Sequence, residues 1–146
     1  MVIAHLQTLL LKNLKEMLLK KHPELKIIRQ FIPNRIYPVN NEIDKHYPFL
    51  VVRAKGGYDG EEESSVKIEF VFGSDSKEDG NSYEMFLSIL EDIRQHYGTN
   101  RFLESFEMDK KLSWRMQDKE DYYPYFYGYI STVWNIPSVI EGDELI

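Results

Sequence analysis

Two strand patterns of different character lie on either side of a glycine-rich acidic stretch, and this arrangement constrains the fold more than any other feature of the chain. Val66, Ile68, Phe70 and Phe72 alternate with Lys67, Glu69 and Val71, the period-two signature of a strand with one buried face. Pro48-Phe49-Leu50-Val51-Val52-Arg53 is instead a nearly continuous apolar run, as expected of a core strand covered on both faces or central in its sheet. Between them, Lys55 to Ser65 carries Gly56, Gly57 and Gly60 with Asp59, Glu61, Glu62 and Glu63. Glycine frees the backbone and like charges seek water, so the stretch predicts a long, flexible hairpin with a mobile tip.

Helical periodicity flanks this hairpin. From Val2 to about Lys21, Ile3, Leu6, Leu10, Leu14, Met17 and Leu18 recur three or four residues apart, with cations at the end and Pro23 beyond. The polar face mixes both charge signs, which favours packing on a sheet over a membrane surface. Leu25 to Phe31 reads as a short strand, followed by an irregular segment to Tyr47. Tyr83, Phe86, Leu90, Ile93 and Tyr97 predict a second amphipathic helix over about Ser82 to Tyr97, capped by Asn81 or Ser82 and stopped by Gly98. Leu103 to Gln117 reads as a strand pair or one long bent strand, and Tyr125 to Trp134 as a further strand rich in aromatic and β-branched residues. The expectation is a single α+β domain over residues 1–137: a mainly antiparallel twisted sheet of four to five strands with two helices on one face. The acidic tail 138–146 has little to bury and is expected to be flexible.

With 18 Lys and Arg against 24 Asp and Glu, the chain carries a formal charge of -6, which argues against nucleic acid as a main partner. No cysteine is present, so disulfides, thiolate metal sites and a cysteine nucleophile are excluded. The Leu-rich start is interrupted by Lys12, Lys15, Lys20 and Lys21 and reads as neither a signal peptide nor a membrane span, with a cytoplasmic origin as the default. No glycine-rich phosphate loop occurs, and the glycines near residue 57 lack the following helix that such a loop uses. His5, His22, His46 and His96 are dispersed. The carboxylates at 61–63, at Asp75, Glu78 and Asp79, and at Asp118, Glu120 and Asp121 lack the ligand alternation of a calcium loop and read as solvated turns. No catalytic, metal or cofactor site is expected.

Tyr122, Tyr123, Tyr125, Tyr127 and Tyr129 offer stacking surface, but the neighbouring acids disfavour a phosphate backbone, so core packing and a subunit contact are the expected uses. The succession Tyr47 to Arg53, Val66 to Gly73, the Tyr83 to Gln95 helix, Trp114-Arg115-Met116, Tyr123-Pro124-Tyr125-Phe126-Tyr127-Gly128 and Trp134 resembles the tail terminator, or tail completion, proteins of long-tailed phages and prophages of Gram-positive bacteria. The resemblance runs from about Ile27 to Pro137 and consists of strand patterns and aromatic marks. It implies an α+β fold, a hexameric ring on the last ring of the tail tube, and a surface facing the head connector. No reaction is implied, nor a cofactor. The partners it implies are further copies of the chain, the tail-tube protein and the head-connector protein, first in the host cytoplasm and then in the virion. Within that picture Gly57, Tyr58, Asp59, Glu61, Glu62 and Glu63 are candidates for a loop that orders on assembly, and Tyr125, Tyr127 and Tyr129 for a subunit contact. The alternatives are another neck or tail assembly protein, a small-ligand-binding regulatory domain with an apolar pocket formed by the aromatic strand and the second helix, and, third, an enzyme.

Overall fold

In a computed structural model of the protein, residues 2–29, 47–75, 81–117 and 125–138 are described, and the features below belong to them. In chain order they form α1 (Val2–Leu18), β1 (Lys26–Arg29), β2 (Phe49–Asp59), β3 (Ser64–Asp75), α2 (Ser82–Thr99), β4 (Phe102–Leu103), β5 (Phe106–Met108), β6 (Ser113–Met116) and β7 (Tyr125–Ile136). The fold class is α+β, as the alternating and helical periodicities predict.

One sheet contains all the strands, in the order β1-β2-β3-β7-β5-β4, with β6 also on β7. It is larger than the four to five strands expected. It is also mixed: β1 runs parallel to β2, while the remaining pairings are antiparallel. A parallel pair requires a crossover of roughly a dozen residues or more, and the 30–46 stretch between β1 and β2 has that length. The larger count comes chiefly from residues 102–117, where three short strands replace the strand pair or single long bent strand expected. β5 and β6 share the outer edge of β7, and Asp109 N–H donates to Val133 O between them at 2.7 Å.

Both helices pack on one face. Every fourth residue of α1, Leu6, Leu10, Leu14 and Leu18, is fully buried, because 3.6 residues per turn bring these positions onto one stripe. Each such leucine contributes about 1.5–3 kcal/mol relative to exposure. α2 buries Phe86, Ile89, Leu90, Ile93 and Tyr97 against the same layer, where Leu50, Val52, Ile68, Phe70, Phe72, Ile130 and Trp134 complete the main core. The Tyr97 hydroxyl donates to Asn13 Oδ1 at 2.6 Å and so ties the two helices together. Gly98 does not stop α2, which continues to Thr99. Asn100 N–H then donates to His96 O at 2.9 Å, and the Thr99 hydroxyl donates to Gln95 O at 3.1 Å, satisfying carbonyls that the helix end leaves open.

The opposite face is not simply solvated. Tyr47, Phe49, Val51, Val71, Tyr127 and Tyr129 form a second buried cluster there, with Ile28 and Tyr125 packed against it. Consequently β3 is covered on both faces from Ile68 to Ser74, where alternation predicts one. Its position between β2 and β7 explains the difference, since a central strand receives neighbours on both edges and a covering layer above and below.

Candidate functional site

In the hairpin that dominates the sequence, strand pairing extends further than its glycines predict. β2 runs to Asp59 and β3 begins at Ser64, so only four residues, Gly60 to Glu63, lie outside the ladder. Gly60 N–H donates to Glu63 O at 2.8 Å, the Tyr58 hydroxyl donates to Glu63 Oε1 at 2.5 Å, and the Ser138 hydroxyl donates to Gly60 O at 2.7 Å. A Cβ on Gly57 would sit 2.2 Å from Ser65 O, so this position needs glycine for close approach rather than for mobility. The register slips between Ala54 and Gly56, leaving Lys55 as the extra residue of a bulge that re-aims its side chain.

These features shape the exposed half of the sheet. β1 pairs with β2 only as far as Val52, and residues Ala54 to Asp59 are exposed. Between this arm of β2 and the edge strands on β7 lies an open groove of about 940 Å³ on the face away from the helices. Tyr58, Glu63, Lys67, Glu69, Asp109 and Lys111 line it, together with Ser113, Ser131 and Asn135. Glu69 is 4% exposed and receives Lys55 Nζ at 3.4 Å. A carboxylate removed from water needs such a partner, and the bulge is what brings the lysine to it. The groove therefore offers cations, carboxylates, hydroxyls and an exposed phenol ring.

The candidate residues divide into two groups. Gly57, Tyr58, Asp59, Glu61, Glu62 and Glu63 all lie on the hairpin, where every one is exposed and Tyr58 keeps 53% of its surface in water. Tyr125, Tyr127 and Tyr129 lie together on the same sheet face, but Tyr127 and Tyr129 are buried within the chain. The Tyr127 and Tyr47 hydroxyls are 2.5 Å apart, Tyr125 stacks on Tyr47 at 4.9 Å, and the Arg115 guanidinium lies 3.9 Å from the centre of the Tyr129 ring. Of these three tyrosines, Tyr125 is half-buried. Exposed aromatic surface lies elsewhere, at Phe102 and Trp114 on the edge strands, which alternation alone places in a strand without stating on which side a neighbour lies.

Among the described residues no three His, Asp or Glu side chains come together as a metal ion would need. His5 Nε2 lies 3.1 Å from Glu104 Oε1 at the surface, and His22 is buried beside the Ser88 hydroxyl. His46, Glu78, Asp79, Asp118, Glu120, Asp121, Tyr122 and Tyr123 lie outside the described residues, as does the acidic tail from residue 139.

The tyrosines set a specific alkaline behaviour. Burial, followed by the hydrogen bond to Tyr127, pushes the Tyr47 phenol far above its ordinary value of 10.0, and burial does the same for Tyr97. The hydrogen bond to Glu63 raises Tyr58. For Tyr47 and Tyr97 the folded state keeps a proton that the unfolded state releases, so their contribution to stability is complete below pH 10 and falls as pH rises further. Tyrosinate absorbance in an alkaline titration is expected to rise in two phases, the later one coinciding with unfolding. A single native phase matching the denatured protein would show that neither phenol is protected.

No protein-family model and no curated protein matches the sequence.

Proposed function

We propose that the chain is a tail terminator of a long-tailed phage or prophage, capping the tail tube as a ring of copies and presenting its other side to the head connector. The reading rests on the succession of strand and aromatic marks. The observation that carries it in three dimensions is the hairpin: the β2 arm from Ala54 to Asp59 and the acidic residues Glu61 to Glu63 are exposed, and Tyr58 and Ser138 hydrogen-bond to the tip. An exposed element whose hydrogen bonds are already made loses little entropy on docking, which suits a part that acts by shape complementarity. The mechanism is occlusion. One side of the ring matches the last tube ring, and the other lacks the surface that recruits another. Repeated weak contacts around a closed ring then give avidity to the cap.

The test is polymerisation of the cognate tube protein with and without this chain, with tube lengths measured by electron microscopy. Added protein is expected to stop elongation and to appear at one tube end only. Unaltered lengths at a several-fold molar excess would sink the reading. A second reading, a domain that binds a small polar ligand, is favoured by the mixed donors and acceptors of the 940 Å³ groove. Saturable binding of a metabolite together with unaltered tube lengths would select it.

A further inference from the structure

The stretch from Met108 to Ser113 divides its side chains between two concavities. Asp109, Lys111 and Ser113 line the groove on the hairpin side, whereas Met108, Lys110 and Leu112 line a second pocket of about 450 Å³ against the end of α2. In this connection between β5 and β6 the odd-numbered residues from Asp109 go to one concavity and the even-numbered ones to the other.

The second pocket is chemically one-sided. Arg94, Arg101 and Lys110 line it with no carboxylate, in a chain whose acids outnumber its Lys and Arg by 24 to 18. Arg94 is paired with Glu91 at 2.7 Å, but no ion pair to Arg101 or Lys110 exists among the described residues. Tyr97 and Met108, both buried, and half-buried Leu112 supply an apolar floor. Such a site fits an acidic element that also carries an apolar group. The chain owns one: the hairpin tip, with Asp59, Glu61 and Glu62 exposed beside the ring of Tyr58. Within one molecule Tyr58 and Glu63 face the other groove, so the tip does not fill the pocket of its own chain.

We infer that the hairpin tip of one copy docks in the Arg94, Arg101 and Lys110 pocket of the next. The inference deepens the ring reading and rests on it. Because the two surfaces differ, the contact is heterologous, and repetition closes a ring wherever the rotation between copies allows. Attraction between exposed charges is screened by salt, so assembly is strongest at low ionic strength.

The test exploits the asymmetry. The Asp59→Lys/Glu61→Lys/Glu62→Lys chain has a basic tip, since only Glu63 remains acidic there, and a basic pocket, and the Arg101→Glu/Lys110→Glu chain has an acidic tip and an acidic pocket. At low salt the wild type is expected to self-associate with concentration in sedimentation velocity, and each variant alone to associate about tenfold more weakly or less. An equimolar mixture is expected to recover association, because each tip then meets a pocket of opposite charge. Thermal melts of the separate variants check that folding is intact, and the five positions are surface residues or pocket rim. A wild type that stays monomeric up to about 1 mM, where even a contact of millimolar Kd is substantially populated, overturns the inference, as does a mixture that fails to recover. Recovery with unaltered tube lengths would leave this contact standing and remove the terminator reading, whereas tube capping without recovery would do the reverse.

Discussion

Replacing Trp134 by alanine is expected to be the most damaging single truncation in the chain, lowering stability by about 4 kcal/mol, within the range for emptying a buried tryptophan site. The indole is fully buried in the main core, edge-on to Tyr97 with ring centres 5.7 Å apart. It also closes a short polar chain: Nε1–H donates to the Thr132 hydroxyl at 2.9 Å, and that hydroxyl donates to Ile68 O at 2.8 Å. Truncation thus removes a large apolar group, leaves a cavity between α2 and the sheet, and takes one partner from a buried hydroxyl. The midpoint of thermal unfolding should fall by roughly 10 °C or more, given about 2–4 °C per kcal/mol for a domain of this size. Trp134→Phe should recover part of the loss, because it restores volume without the N–H donor. A Trp134→Ala midpoint within about 2 °C of wild type, under 1 kcal/mol on the same scale, would contradict the packing described.

A second large effect is expected from adding bulk. A Cβ at Gly128 would lie 2.4 Å from Phe86 Cε1 and 2.6 Å from two further ring atoms. The ring has little room to yield, since Phe86 is fully buried and lies 5.8 Å from Phe72 and 6.0 Å from Phe126, centre to centre. Gly128→Val should therefore cost about 3 kcal/mol, at the upper end for overpacking a core. The cause is separable from backbone effects by a double-mutant cycle. On a Phe86→Ala background the valine should cost much less, because it then occupies space the ring has left. Equal penalties on both backgrounds would place the clash elsewhere. The same contact explains why α2 lies close to β7: a glycine in the strand makes a hollow that receives the ring.

Much of this architecture was legible locally. The leucine stripe of α1, the apolar stripe of α2 and the two strands flanking the hairpin follow from 3.6-residue and two-residue periods, which depend only on neighbours along the chain. The hairpin shows where local reading stops. Gly57 suggests freedom, yet it is held by the approach of Ser65 O, a contact made across the ladder. The tyrosines show the same limit from the other side. Alternation puts Tyr125, Tyr127 and Tyr129 on one face, but only the arrival of Tyr47 and Phe49 on that face makes it a second core.

By itself, then, the sequence determined the kinds of element, the faces they present and the place of the turn, because each follows from backbone geometry over a few residues. Tertiary structure alone decided that β3 is central, that β1 enters parallel, that Lys55 reaches Glu69, and that residues 108–113 serve two concavities. Those outcomes depend on which distant strand becomes a neighbour. That choice is set by the free energy of burying both faces of the whole sheet, and no local pattern contains it.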